Sequence, residues 1–451
     1  MKVTSINPFT RKTLEEFETI TSHELNVKLD AADKTFRQWR LSAFSERSQR
    51  MLNASAVLLK NKEKYAQNIT REMGKTLKES VAEIEKCAWV CEYYAHQAVS
   101  FLADEPIETD ASMSYVRYDP LGTVLAVMPW NFPFWQVFRF AAPALMAGNV
   151  CVLKHASNVF RCALHIEEVF KEAGFPQGVF QTLLISSDQV ADVIDHPVVK
   201  AVTLTGSEKA GANVASRAGK NIKKTVLELG GSNAFVVLPD ADLELAVEVG
   251  VAARMRNAGQ SCIAAKRFIL SSAIADSFIE AFRNKVAALK MGDPMDENTD
   301  MGPLARKDLT DDLEDQVNRS IQAGAKVVCG AKRKDNFYLP TILTDVQPGM
   351  AAFDEELFGP VAAISIAGSD DEALKLANKS EFGLGISVFT QSEARALPFI
   401  QDSEDGAVFI NGLVKSDPRL PFGGTKRSGY GRELSSHGIR EFVNAKTVWV
   451  K

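Results

Sequence analysis

Ala201-Val-Thr-Leu-Thr-Gly-Ser207 decides the fold. Five apolar or β-branched residues read as a strand with no polar face, Gly206-Ser207 as a turn, and Glu208 to about Ala218 as the helix that follows. A strand buried on both sides that turns straight into a helix is the repeating unit of a parallel sheet covered by helices. The unit recurs in both directions. Val150-Cys-Val-Leu153 precedes a helix near Val159 to Ala173; Val179-Phe-Gln-Thr-Leu-Leu184 follows it, and Thr225-Val-Leu227 follows the Glu208 helix. Beyond Gly231 the alternation restarts with Asn233-Ala-Phe-Val-Val-Leu238, a long helix from Leu243 to about Arg256, and Phe268-Ile-Leu270. It runs on to Gly406-Ala-Val-Phe-Ile410. Two α/β domains are expected.

The flanks read differently. Ser22 to about Leu102 carries apolar residues at three- and four-residue spacing, as in Leu52, Ala56 and Leu59, and is expected to form three helices. Ser114-Tyr-Val-Arg-Tyr118 and Gly122-Thr-Val-Leu-Ala-Val127 read as two strands meeting around Asp119-Pro-Leu-Gly122, an extended arm. Lys446-Thr-Val-Trp-Val-Lys451 is a β-prone tail expected to pair with another strand. No internal repeat or low-complexity stretch interrupts this order.

With 451 residues, 46% of them hydrophobic, the chain can bury two or three separate cores. Its 57 acidic and 52 basic residues leave no basic footprint for nucleic acid or an anionic membrane, so an anionic substrate has to be caught by local groups. No apolar stretch approaches a membrane span, and the N-terminal residues lack the basic start and apolar core of a leader, so a cytoplasmic protein is expected. Six cysteines without paired spacing imply reduced thiols. Cys87 and Cys91 stand one helical turn apart, but no His or Cys pair nearby completes a zinc site, and no metal is expected.

Cys262 ends the run Arg256-Asn-Ala-Gly-Gln-Ser-Cys262, and Glu228 stands 34 residues upstream in Leu227-Glu-Leu-Gly-Gly231. A lone cysteine is most often a small core residue. Here a carboxylate at the end of an apolar strand needs a task or a partner, and Gly230-Gly231 lets backbone pass close to a reacting centre. A thiol that forms an acyl intermediate and a carboxylate that activates water can be assembled from the two. Met128-Pro-Trp-Asn-Phe-Pro133 is a rigid strand-to-helix turn; Asn131 in it reads either as a helix cap or as an amide donor to an oxyanion. Leu204-Thr-Gly-Ser-Glu-Lys-Ala-Gly211 presents free N–H groups to a phosphate, although it lacks the Gly-x-Gly-x-x-Gly spacing.

Pro129-Trp-Asn131, Leu227-Glu-Leu-Gly-Gly231, Asn257-Ala-Gly-Gln-Ser-Cys262, Glu356-Leu-Phe-Gly-Pro360 and Pro421-Phe-Gly-Gly424, in this order, resemble the aldehyde dehydrogenase superfamily over essentially the whole chain. The resemblance implies a Rossmann-like cofactor domain (1–101 and 121–229), an α/β catalytic domain (230–428), and an oligomerisation arm with the C-terminal strand (102–120 and 429–451). It implies a homodimer or a dimer of dimers. It assigns Cys262 as nucleophile, Glu228 as general base and Asn131 as oxyanion donor with the Cys262 N–H. For the cofactor it assigns Trp130 and Asn131, Lys154 and Ser157 at the adenosine ribose, Gly206-Ser207 at the pyrophosphate, Leu229, Glu356 at the nicotinamide ribose and Phe358 beside the ring. A thioester on Cys262 would then be hydrolysed, because a member that hands its acyl group to coenzyme A has no need of Glu228.

The resemblance extends to the choice of substrate. Arg139, four residues after Trp135 on one helix face, and Arg256, six before Cys262, resemble the arginine pair of succinic semialdehyde dehydrogenases, with Ser261 as a further contact and a second serine near Ser416. Guanidinium binds carboxylate in a bidentate fork, so a small aldehyde with a distal carboxylate is implied, with glutarate semialdehyde or short aliphatic aldehydes as the alternative. For either arginine alone, a surface or interdomain ion pair is the plain alternative. Where much of the family reads Lys-Pro-Ser/Ala-Glu, this chain has Lys154-His-Ala-Ser157. A glutamate at the last position would accept hydrogen bonds from the NAD ribose and repel a 2′-phosphate; serine leaves room for it, so NADP is expected to be preferred, with NAD also accepted. Ala264 stands where some members carry a second cysteine, which excludes a disulfide switch there.

Overall fold

The computed structural model describes residues 2–451; Met1, the first residue of the expected cofactor domain, lies outside them. A hairpin of Lys2–Ile6 and Thr13–Glu18 opens the chain. Four helices follow rather than three: Ser22–Trp39, Phe44–Lys60, Lys62–Met73 and Leu77–Phe101. The first begins in a capping box, with Thr21 and Glu24 each accepting the other's backbone N–H. The expected count misses the break at Asn61, which ends one helix and begins the next with no proline or glycine to mark it. Cys87 and Cys91 lie buried on the core face of the last helix.

Two sheets carry the rest. The first has six strands in the order Gly429–Tyr430, Lys224–Glu228, Val199–Thr205, Thr123–Met128, Val150–His155, Phe180–Thr182, all parallel except the short strand at the edge beside Glu228. Every residue of Val150–His155 is buried, as the uninterrupted Val/Leu run requires. The second has seven strands in the order Lys326–Cys329, Thr341–Thr344, Val361–Ala367, Ala265–Ser271, Asn233–Val237, Ile386–Phe389, Val408–Ile410, parallel except for the first.

The two strands around Asp119-Pro-Leu-Gly122 do not pair with each other. Met113–Pro120 pairs antiparallel with the C-terminal strand Val443–Val450, while Thr123–Met128 joins the six-stranded sheet, so Leu121 and Gly122 carry the chain from one sheet to another. Among the described residues no helix is long and apolar enough to cross a membrane.

Lys154, Thr205, Glu228 and the turn after Met128 all lie at the carboxyl ends of parallel strands of the six-stranded sheet. That edge is where open α/β sheets bind ligands.

Candidate active site

Cys262 follows a turn that no ordinary sequence rule favours. After the helix Leu243–Met255, Asn257 (φ 53°), Ala258 (φ 51°) and Gly259 (φ 74°) are left-handed in succession. For the two non-glycine residues this costs about 1–3 kcal/mol each unless neighbours hold them. Neighbours do. Asn257 Nδ2 donates to the carbonyls of Asn131 (2.9 Å) and Gln260 (3.2 Å), Asn257 N donates to Glu79 Oε1 (2.8 Å), and Arg254 Nη2 donates to the Gly259 carbonyl (2.6 Å). At Gly259 a Cβ would stand 2.3 Å from the Gly359 carbonyl oxygen, so only glycine suits this position.

Lys266 Nζ donates to the carbonyls of Ser261 (2.9 Å) and Cys262 (2.8 Å) and to Glu356 Oε1 (3.0 Å). The Cys262 carbonyl is thereby fixed, while the Cys262 N–H donates to no acceptor among the described residues. Burial pushes the Cys262 thiol up to about 11, against the pull of Lys266 and Arg139. Asn131 packs on the same turn. Its Nδ2 donates one hydrogen to the Gln260 carbonyl (3.2 Å) and leaves the second without a protein acceptor. The turn around Asn131 is anchored from below by Glu83, whose carboxylate accepts from Phe134 N (2.8 Å) and Trp135 N (3.0 Å) and contacts Lys75.

Glu228 ends its strand between Thr205 and Gly429 and is 2% exposed. Burial holds its carboxyl well above the usual carboxylate range; Glu433 adds to the rise and Arg139 opposes it. Gly231, three residues on, admits the backbone crossing, since a Cβ there would stand 2.7 Å from the Cys262 carbonyl oxygen. Arg139 belongs to Trp135–Met146, a helix buried on every side, so its guanidinium needs a partner inside the protein. It finds Glu433, with Nη2 on Thr205 Oγ1 (3.3 Å) and its plane over the Phe422 ring (4.5 Å). Of the two readings open for Arg139, the ion pair is the one seen, although the side chain also lines the cleft described below.

On the other side of the carboxyl edge are the expected cofactor residues. Lys154 is buried with no ion pair among the described residues, and burial lowers its ammonium's pKa, the setting of a cation that awaits an anion. Ser157, exposed, starts the short turn Ser157–Val159 two residues beyond the strand. Ser207 caps the helix Glu208–Lys220, whose first N–H groups are free for a phosphate, and Leu229 packs against Gly211 of that helix. Trp130 and Phe358 meet edge to face with centroids 5.8 Å apart. Glu356 accepts from Gly231 N (3.1 Å) as well as from Lys266, which ties the two sheets together beside Cys262. The residues present suit a phosphorylated dinucleotide.

A cleft of about 370 Å³ leads to Cys262, lined among others by Trp135, Arg139, Arg256, Ser261 and Phe422. Arg256 is exposed and makes no ion pair among the described residues. The aldehyde dehydrogenase family model matches residues 1–448. The chain belongs to the aldehyde dehydrogenase family. Over its whole length it is 52% identical to a chain of Synechocystis sp. named probable succinate-semialdehyde dehydrogenase [NADP(+)], across that chain's full length too. It is 51% identical to succinate-semialdehyde dehydrogenase [NADP(+)] 1 of Mycobacterium tuberculosis, again over 100% of both. The crystal structure of succinic semialdehyde dehydrogenase from Streptococcus pyogenes in complex with NADP+ superposes with a TM-score of 0.97, at 39% identity, covering 99% of each chain.

Four residues of this aldehyde dehydrogenase's site have no signal in the sequence: Lys86, Lys266, Glu433 and Glu83. Lys86 lines the cleft from the helix Leu77–Phe101. Ser416, reached in the sequence only through the resemblance, lines it too and accepts hydrogen bonds from Lys86 Nζ (2.8 Å) and Trp135 Nε1 (3.1 Å).

Proposed function

We propose that this aldehyde dehydrogenase oxidises succinate semialdehyde to succinate through a thioester on Cys262, with NADP preferred over NAD. The observation that carries the proposal is Arg256, a cation without a carboxylate partner among the described residues on the wall of the cleft that leads to the Cys262 thiol. The names of relatives 50–52% identical over the full chain support it, as does the serine at position 157 where a glutamate would repel the 2′-phosphate.

Cys262 gives its thiol proton to solvent, an ionisation favoured by the fields of Lys266 and Arg139, and Sγ then attacks the aldehyde carbon. The free N–H of Cys262 and the uncommitted N–H of Asn131 Nδ2 stabilise the oxygen as it gains charge. Lys154, Ser157, Gly206-Ser207, Trp130, Leu229, Glu356 and Phe358 would hold NADP, which when bound would supply the hydride acceptor. Glu228 then takes a proton from water, which attacks the thioester and releases the acid and the free thiol. Burial makes Glu228 costly to ionise, and Arg139 beside it offsets part of that cost. Arg256 and Ser261 hold the distal carboxylate, with Arg139 adding to the positive field.

The same reading assigns residues 1–101 and 121–229 to the cofactor domain and 230–428 to the catalytic domain. The sheet of Met113–Pro120 with Val443–Val450, whose Trp449 is exposed, is the surface for a homodimer or a dimer of dimers in the cytoplasm. Initial rates on succinate semialdehyde, glutarate semialdehyde and butanal with each cofactor test the function. The highest kcat/KM is expected for succinate semialdehyde with NADP, and an enzyme that does not distinguish it from butanal would overturn the reading.

A further inference from the structure

Lys86 has no role in the chemistry described so far, yet it is the half-buried cation of the cleft. Its ammonium lies 4.1 Å from the Trp135 ring and donates to Ser416 Oγ at 2.8 Å. No carboxylate pairs with it. Those nearby are committed: Asp417 is gripped by Arg419 through both oxygens (2.9 and 2.7 Å), Glu83 by Lys75 and two backbone N–H groups, and Glu79 by Thr76 Oγ1 (2.8 Å) and Asn257 N (2.8 Å). Lys78, also on the cleft wall, is paired with Asp300 (2.9 Å). Arg139 already has a carboxylate partner in Glu433. Three cations that line the cleft have no ion pair among the described residues: Arg256 at the end of the helix Leu243–Met255, Lys415, and Lys86 on the helix Leu77–Phe101; Arg256 and Lys415 are exposed, and Lys86 is the half-buried one.

We propose that Lys86, which shares the cleft with Arg256 and is held in place by Ser416 and Trp135, binds the distal carboxylate of the substrate and is a determinant of selectivity for acid-bearing aldehydes. The inference rests on the proposed function. A flexible ammonium fixed at one hydrogen bond and one aromatic face still has donors to give, and in a partly desolvated cleft a charge without a counter-ion is unfavourable until the substrate supplies one. Burial lowers the Lys86 ammonium to about 8, helped by Arg139 and Arg256 and opposed by Asp417 and Cys87. Lys86 is therefore charged below that pH and loses its charge above it. An acid substrate should bind more weakly as pH rises through this range.

The experiment compares wild type, Lys86→Met and Lys86→Arg with succinate semialdehyde and butanal, from pH 6.5 to 9.5 and with NADP at saturation. For Lys86→Met we expect kcat/KM on succinate semialdehyde to fall about ten- to a hundred-fold, through KM, with a far smaller loss on butanal. Lys86→Arg, always charged, should recover most of the loss and lack the alkaline decline that wild type shows on succinate semialdehyde near pH 8. Equal losses on the two aldehydes, an unchanged Lys86→Met enzyme, or the same alkaline decline in Lys86→Arg would each overturn the assignment. A wild type that ignores the carboxylate refutes the substrate reading itself; a selective wild type whose selectivity survives in Lys86→Met refutes only the role of Lys86.

Discussion

Replacing Ser157 by glutamate should turn the enzyme from NADP toward NAD. Ser157 is exposed at the start of the turn that follows the strand carrying Lys154, whose buried ammonium has no protein counter-ion. For a carboxylate there set at about 6 Å from a 2′-phosphate carrying about −1.5 to −2 charges, Coulomb's law gives the size of the repulsion. With near-aqueous screening, an effective dielectric of about 60, the repulsion is about 1.5 kcal/mol; at about 20 it is three times that. The exposure of Ser157 favours the lower figure. A hydrogen bond from the free 2′-hydroxyl of NAD to the new carboxylate adds about 1 kcal/mol in the other direction. Together the terms amount to about 2.5–3 kcal/mol, or roughly a hundred-fold change in the ratio of specificity constants. The assay is kcat/KM for NADP and for NAD at saturating succinate semialdehyde, in wild type, Ser157→Glu and the neutral, equally long Ser157→Gln, at low and at about 0.5 M salt. The effect should be confined to the glutamate variant and shrink with salt, because an exposed charge is screened. A wild type that favours NAD, or an equal shift in Ser157→Gln, would refute the charge argument.

Glu228→Gln replaces a buried carboxyl that burial makes costly to ionise with a neutral amide of the same size, so the fold should tolerate it. One equivalent of reduced cofactor per site is expected in a burst, followed by turnover at least about a hundred-fold slower; steady turnover at the wild-type rate would show that another group activates water. For Cys262, a thiol pushed up to about 11 is roughly one part in ten thousand thiolate at pH 7. Its alkylation by iodoacetamide in the cofactor-free enzyme should therefore rise about tenfold per pH unit from pH 7 to 9, and a rate already level below pH 8 would mean a thiolate at rest.

What could be read from the sequence is what the backbone demands locally. Val150–His155 and Ala201–Thr205 are buried on both faces, so every residue had to be apolar or β-branched or have a polar tip with a task, and the α/β pattern shows. Cys262, Glu228 and Asn131 could be picked out because each sits in a turn that needs particular neighbours: Gly259 beside the Gly359 carbonyl, Gly231 beside the Cys262 carbonyl, prolines around Trp130 and Asn131. Where the backbone needs nothing unusual of its residue types, the boundary disappears, and Asn61 divides two helices unseen.

The charges of the site follow another rule. Arg139 and Arg256 look alike in the sequence, both arginines on elements that lead to the nucleophile. In the structure Arg139 is buried and Arg256 exposed, and a distant carboxylate reaches only one of them: Glu433, near the other end of the chain, takes Arg139, and no carboxylate of the described residues takes Arg256. The same subtraction singles out Lys86 among the lysines of the helix Leu77–Phe101 and the turn before it. Lys75 has Glu83 and Lys78 has Asp300, whereas Lys86 has only a hydroxyl and an indole face. A pocket for an anion is thus defined by the cations left over once the protein has neutralised its own. No window of local sequence can perform that subtraction, because each neutralising carboxylate here comes from a separate turn of helix or a separate segment of chain.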